Sequence, residues 1–183
     1  MIEVEIKLPL KSLPAAERAL VKMNFKTGDV VEESDIYFNN PSHDFRKTDE
    51  ALRIRTSENL TRNRAETVIT YKGPKLDSVS MTRKELETTV GDPDIMKELL
   101  ISLGYEELAP VIKLRMYYHR DDIHACLDQV RDLGSFLELE ILVEDESQKE
   151  AALKRIEAIL IDLGYSLSDT TRYSYLYMLQ QKR

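Results

Sequence analysis

The first eight residues, Met-Ile-Glu-Val-Glu-Ile-Lys-Leu, put Glu3, Glu5 and Lys7 on one parity and Ile2, Val4, Ile6 and Leu8 on the other. Alternation with period two predicts a β-strand with one charged and one apolar face. Taken alone, this suits a wet sheet face over an ordinary core. The same parity recurs along the chain, however. Arg53 and Arg55 alternate with Leu52 and Ile54, Lys113 and Arg115 with Ile112, Leu114 and Met116, and Glu138 and Glu140 with Leu137, Leu139 and Ile141. Arg83, Glu85 and Glu87 share one parity, Lys72 closes a strand of Val68, Ile69, Thr70 and Tyr71, and Asp128 ends a strand running from about Ile123 through Cys126. Strands are predicted near 2–8, 34–38, 51–56, 66–72, 81–90, 111–118, 122–128 and 136–143, with a ninth near 172–179. The charges segregate into basic pairs and acidic pairs, which a merely solvated sheet does not require.

Between the strands lie three amphipathic helices with a shared ending. The first runs from about Ser12 to Met23 and stops at Asn24-Phe25. The second follows Asp92-Pro93, an N-cap with proline at the first helical position, and stops at Gly104-Tyr105. The third is expected to open with a capping box, Ser147 to Glu150, and stops at Gly164-Tyr165. Asn or Gly just past each helix suits a left-handed residue. Twelve residues beyond each aromatic a tyrosine is expected in a strand, at Tyr37, Tyr117 and Tyr177, which reads as a recurring supersecondary unit. Ala152, Ile156, Ile159, Leu160 and Leu163 mark the apolar side of the third helix, and the strands' apolar faces supply its partner. Asn39 to Asp49 reads as a loop, Ser57 to Glu66 as a polar hairpin tip and Gly73 to Ser80 as a turn.

Composition changes the picture only by exclusion. A chain of 183 residues, 42% hydrophobic and 32% charged, is expected to form one domain, 1–183, with a substantial core. No apolar run approaches the roughly 20 residues that span a bilayer, and no secretory signal is expected ahead of the opening strand. Cys126 is the sole cysteine, which excludes an internal disulfide and fits a reducing cytoplasm. A net charge of −7 argues against a general nucleic-acid or membrane-surface binder, though not against a local basic pocket. His43, His119 and His124 form no zinc pattern, and His43 and His119 read as surface positions.

Helices can cover only the apolar side of the sheet. Closing the sheet into an antiparallel barrel would turn the charged side into a lumen. The expected architecture is therefore α+β: an eight-stranded antiparallel β-barrel, or tunnel, with a charged lumen and flanking helices. Unpaired buried charges cost several kcal/mol each, so water, a cation and a polyanion are the expected occupants. Arginine and lysine suit phosphate oxygens; carboxylates suit Mg²⁺ or Mn²⁺ bridging those phosphates. The chain has no P-loop sequence.

In order along the chain stand Glu3-x-Glu5-x-Lys7, Asp35-Ile-Tyr-Phe38, Ala51-Leu-Arg-Ile-Arg55, Thr70-Tyr-Lys-Gly-Pro74, Thr82-Arg-Lys-Glu-Leu-Glu87, Lys113-Leu-Arg115, Leu127-Asp128 and Leu133-Gly-Ser-Phe-Leu-Glu-Leu-Glu140. The set resembles the CYTH superfamily, the triphosphate tunnel metalloenzymes, and within it the class IV adenylyl cyclase branch. The resemblance implies a closed or nearly closed eight-stranded tunnel that binds a triphosphate with a divalent cation, Mg²⁺ or Mn²⁺. It implies Glu3, Glu5, Glu138 and Glu140 as metal ligands, and Glu5, Lys7 and Asp128 at the reacting group. It implies Lys7, Arg53, Arg55, Lys72, Arg83, Lys113 and Arg115 as phosphate contacts, with Glu85 and Glu87 supporting those cations. A cyclase would convert ATP to cyclic AMP and pyrophosphate. The alternatives are an inorganic, thiamine or nucleoside triphosphatase using the same cage and a non-catalytic nucleotide or polyphosphate sensor. Dimerisation through exposed strands stays open.

Overall fold

The computed structural model describes residues 2–75 and 83–182. Its strands are β1 (Ile2–Leu10), β2 (Lys26–Asn39), β3 (Ala51–Asn59), β4 (Arg64–Lys75), β5 (Arg83–Thr89), the short β6 (Glu106–Glu107), β7 (Val111–Arg120), β8 (Ile123–Val130) and β9 (Gly134–Val143). Its helices are α1 (Leu13–Lys22), α2 (Phe45–Thr48), α3 (Pro93–Ser102), α4 (Lys149–Asp162) and α5 (Tyr175–Gln181). One antiparallel sheet carries the strands in the order β1-β9-β8-β7-β2-β3-β4-β5, with β6 pairing β2 off that path. The sheet curls until its ends, β1 and β5, have Cα atoms within 8 Å of each other. Among the described residues these two edges form no ladder. The barrel is therefore nearly closed rather than continuous. On the free edge of β1 the Thr171 N–H donates to the Lys7 carbonyl at 2.8 Å, so the C-terminal segment lies along the seam.

The apolar faces point outward to the helices. Val4, Ile6 and Leu8 of β1, Ala125 and Leu127 of β8, and Leu137, Leu139 and Ile141 of β9 pack with Leu20 of α1 and Ile156, Ile159 and Leu160 of α4. Leu20 and Ile156 are fully buried, each contributing about 1.5–3 kcal/mol relative to exposure. A second cluster sets Leu100 of α3 against Phe38, Leu52 and Ile54.

The three helix endings share one geometry. Asn24, Gly104 and Gly164 all have positive φ, at 64°, 90° and 81°. In each case the following aromatic N–H reaches back five residues: Phe25 to Leu20, Tyr105 to Leu100 and Tyr165 to Leu160. This is the Schellman pattern, which satisfies carbonyls the helix leaves open. The repeat is incomplete in its third copy. Tyr37 and Tyr117 lie in strands, but Tyr177 lies in α5, and the expected strand at 172–179 is replaced by that helix. Alternating Tyr173, Tyr175 and Tyr177 mimics a strand; Tyr173 and Tyr177 instead stack at 4.7 Å, as i and i+4 neighbours can. Ser174 caps the helix by accepting from the Tyr177 N–H at 3.1 Å.

Other boundaries shift. β2 begins eight residues before the expected start, at Lys26, and β3 and β4 narrow the hairpin tip. The loop after Asn39 contains α2. The box at Ser147–Glu150 does not form: Ser147 bonds to Asp145, Glu150 pairs with Lys154, and α4 starts without a side-chain cap. Of the turn expected at 73–80, Gly73 and Pro74 belong to β4, and 76–80 lie outside the described residues, as do positions 81 and 82 of the strand expected at 81–90. No described helix is long and apolar enough to cross a membrane.

Candidate functional site

Directly paired residues in an antiparallel ladder share a face, so the registers give the lumen wall. Glu5 faces Glu140 and Lys7 faces Glu138 across β1–β9. Arg115 faces Asp128, Lys113 faces Glu33, Arg55 faces Asp35, and Lys72 faces Glu85. The predicted alternation thus brings nearly all the candidate residues onto one inner surface.

The cations there are already held. Asp35, 1% exposed, accepts from Arg55 Nε and Nη2 at 2.6 and 2.7 Å and from Arg53 Nη1 at 3.3 Å. Glu33 lies 2.8 Å from Lys113 Nζ and 3.1 Å from Arg55 Nη1. Asp128 accepts from Arg115 Nε and Nη2 at 2.7 and 2.6 Å and from the Tyr175 hydroxyl at 2.8 Å. Arg115 also bonds Glu138, which lies 3.3 Å from Lys7 Nζ. Lys72 pairs with Glu85, while Glu87 accepts from the Thr70 hydroxyl at 2.7 Å. Arg83 stands apart from this ring, bonded to the Asp49 carbonyl at 3.1 Å beside Lys75.

Glu33, Asp35 and Tyr175 have no role in the sequence reading. The available signal was parity, since Glu33 and Asp35 alternate with Ser34 and Ile36 toward Tyr37. His43 is exposed and bonds Glu50 at 2.5 Å; His119 is exposed at the end of β7.

The lumen splits electrostatically. Burial pushes Glu33 up, but Lys113 and Arg55 together outweigh it and hold its carboxyl at about 2. Burial is likewise outweighed at Asp35, by Arg55 and Lys113, and at Glu138, by Arg115 and Lys7; both sit well below the ordinary range. Glu3, Glu5 and Glu140 go the other way. Burial and the charges of Glu5 and Glu140 push Glu3 up to about 9. Burial and Glu138 raise Glu5, and burial raises Glu140. These three carboxylates lack enough positive charge around them. Among the described residues no three acidic, imidazole or thiol groups converge as a ready metal cage. Opposite them, Arg53 Nε is buried without a hydrogen-bond acceptor among the described residues.

The paired carboxylates make a stability prediction. Glu33 falls from an ordinary 4.5 to about 2 on folding. Its contribution is complete above 4.5 and disappears as pH falls through about 2. Thermal unfolding should therefore show a falling midpoint across that window. Glu33→Gln should lower the midpoint at neutral pH and flatten the acid slope; an unaltered slope would remove Glu33 from the account.

The CYTH domain model matches residues 1–175. The chain belongs to the CYTH family. This CYTH chain is 40% identical over 176 residues to MJ0240 of Methanocaldococcus jannaschii, provisionally named an adenylate cyclase; the match covers 96% of this chain and 97% of that one. It is 26% identical to adenylate cyclase CyaB of Aeromonas hydrophila, covering 98% and 89%. The solved structure of the PH1819 protein from Pyrococcus horikoshii OT3 superposes with a TM-score of 0.90 at 38% identity, covering 99% of both chains. The CYTH family is one of enzymes, and the curled antiparallel sheet with flanking helices is its tunnel fold.

Proposed function

We propose that this chain, acting as one domain over 1–183 in the cytoplasm, is a divalent-cation-dependent adenylyl cyclase that converts ATP to cyclic AMP and pyrophosphate. The split lumen carries the reading: an under-compensated acidic group, Glu3, Glu5 and Glu140, lies across from a cationic arc whose Arg53 Nε has no acceptor among the described residues. Kinship with relatives named adenylate cyclase favours the cyclase over water attack on a terminal phosphorus.

Lys7, Arg53, Arg55, Lys72, Lys113 and Arg115 would hold the triphosphate oxygens, exchanging part of their carboxylate contacts for phosphate. Glu33, Asp35, Asp128 and Glu85 would keep those cations aimed while the ligand is absent. Arg83, tied to Asp49, would act at the strand end rather than on the phosphates. Hard oxygen donors that repel one another fit Mg²⁺ or Mn²⁺, and Glu3, Glu5 and Glu140 would hold it, with Glu138 shared between that role and Arg115. The bound cation would lower the pKa of the attacking 3′-hydroxyl and neutralise phosphate charge. Glu3 and Glu140 lie toward the end of the lumen away from Lys7. A nucleotide entering with its terminal phosphate first would therefore bring its α-phosphorus toward them.

Incubating the protein with ATP and Mg²⁺ and resolving the products tests the reading. Cyclic AMP with pyrophosphate is the expected result. ADP or orthophosphate would replace the cyclase with a triphosphatase, and ATP binding without product would leave a sensor.

A further inference from the structure

The two ends of the lumen differ. At the Lys7 end, Val111, Val130, Phe136 and Tyr175 form an apolar layer in which none is more than 5% exposed, backed by Leu176 and Leu179 of α5. At the other end, exposed His119 and His124 face each other across β7–β8. α5 carries Tyr175 into the charged wall itself. The ring centroid lies 4.2 Å from Lys7 Nζ and 5.5 Å from Lys113 Nζ, close enough for cation–π attraction. The ring meets Phe136 edge-on at 4.9 Å. The hydroxyl donates to Asp128 at 2.8 Å. Tyr175 is thus locked by its apolar layer, by two ammonium groups and by a buried carboxylate. From Glu3 to Lys7 is four residues of β1, roughly 13 Å of extended strand. Among the described residues the charged stretch of β1 is short, and the Tyr175 ring lies against its Lys7 end.

We propose that Tyr175 is the floor of a blind socket and sets how far a phosphate chain can enter: a free triphosphate end enters and stops, and the interior of a longer polyphosphate cannot thread through. The inference rests on the triphosphate reading above and adds a direction to it. A terminal phosphate at the floor meets Lys7 and Lys113, whose ammonium groups the ring holds in place. Tyr175 is a specificity residue by occupying space, and its hydroxyl is secondary to its ring.

Calorimetric titration with tripolyphosphate, and with a long linear polyphosphate, in the presence of Mg²⁺ tests this. A linear chain has two ends, so the natural protein should saturate at no more than two molecules per chain whatever the chain length. Tyr175→Phe should keep that limit. Tyr175→Ala should raise the number bound per chain as the chain lengthens. More than two natural molecules per chain would overturn the socket without any variant. So would a Tyr175→Ala protein that is folded by circular dichroism yet still stops at two. Absence of tripolyphosphate binding by the natural protein would overturn the triphosphate reading, and the socket with it.

Discussion

Asp35→Ala is expected to lose about 3–5 kcal/mol of folding stability, the cost of leaving buried charges without their partner. Asp35 is the point at which Arg55, Arg53 and Lys113 meet, and Arg55 grips it through two parallel hydrogen bonds. Without it, three cations face one another around Glu33 alone in a buried wall. The loss is a large share of the roughly 5–15 kcal/mol that holds a domain folded. Asp35→Asn separates charge from shape and should remain strongly destabilised in urea unfolding. If the Asn variant stayed within about 0.5 kcal/mol of the natural protein, the cations would not depend on this carboxylate. The proposed ligand supplies a second check. A triphosphate brings negative charge to the same cations, so tripolyphosphate should recover more stability in the Asn variant than it adds to the natural protein.

Glu5→Gln is expected to have the largest effect on turnover. Glu5 sits opposite Glu140 in the β1–β9 ladder, and burial and the neighbouring Glu138 raise its carboxyl. The amide keeps the shape and removes one hard anionic donor. Charge stabilisation by a bound cation is worth several kcal/mol in phosphoryl chemistry, and about 3 kcal/mol corresponds to a rate factor on the order of 100. Turnover measured against Mg²⁺ concentration should fall by at least that factor. Folding stability should hold or rise, because the change removes one of several carboxylates that repel one another. Undiminished turnover would exclude Glu5 as a cation ligand.

The inner surface was legible in the sequence because its chemistry and its period coincide. In the runs Glu3–Lys7, Arg53–Arg55, Lys113–Arg115 and Glu138–Glu140 charged side chains alternate with aliphatic ones, so parity alone assigns Arg53, Arg115, Glu138 and their neighbours to one face. β2 hid its contribution. Glu32 and Glu33 are adjacent and polar, and the alternation breaks just where Glu33 begins the counter-ion row, so the period-two signal starts only at residue 34. Asp35 was visible within a motif, but nothing local marks a carboxylate that will be enclosed by cations from two other strands. Tyr175 was hidden for the opposite reason. Tyrosines at every second position look like a strand, whereas the Ser174 cap and the packing of Leu176 and Leu179 against the cluster of Val111 and Phe136 support a helix there. Arg83 shows the limit of parity: the ladder slips between Lys72 and Lys75, and the slipped end is where Arg83 meets Asp49.

The pairing of β1 has a consequence for synthesis. Its ladder partner is β9, 134–143, and its other edge is met by Thr171. Among the described residues β1 thus finds none of its backbone partners until residues 134–143 have been made, and its seam contact waits for Thr171. Such distant pairing slows folding, and an unpaired strand edge invites association with other chains. Glu3, Glu5 and Lys7 put charge on three alternate positions of that waiting strand, a known deterrent to edge-to-edge aggregation. The charges proposed to hold cation and phosphate in the finished protein would first guard β1 against pairing with other chains.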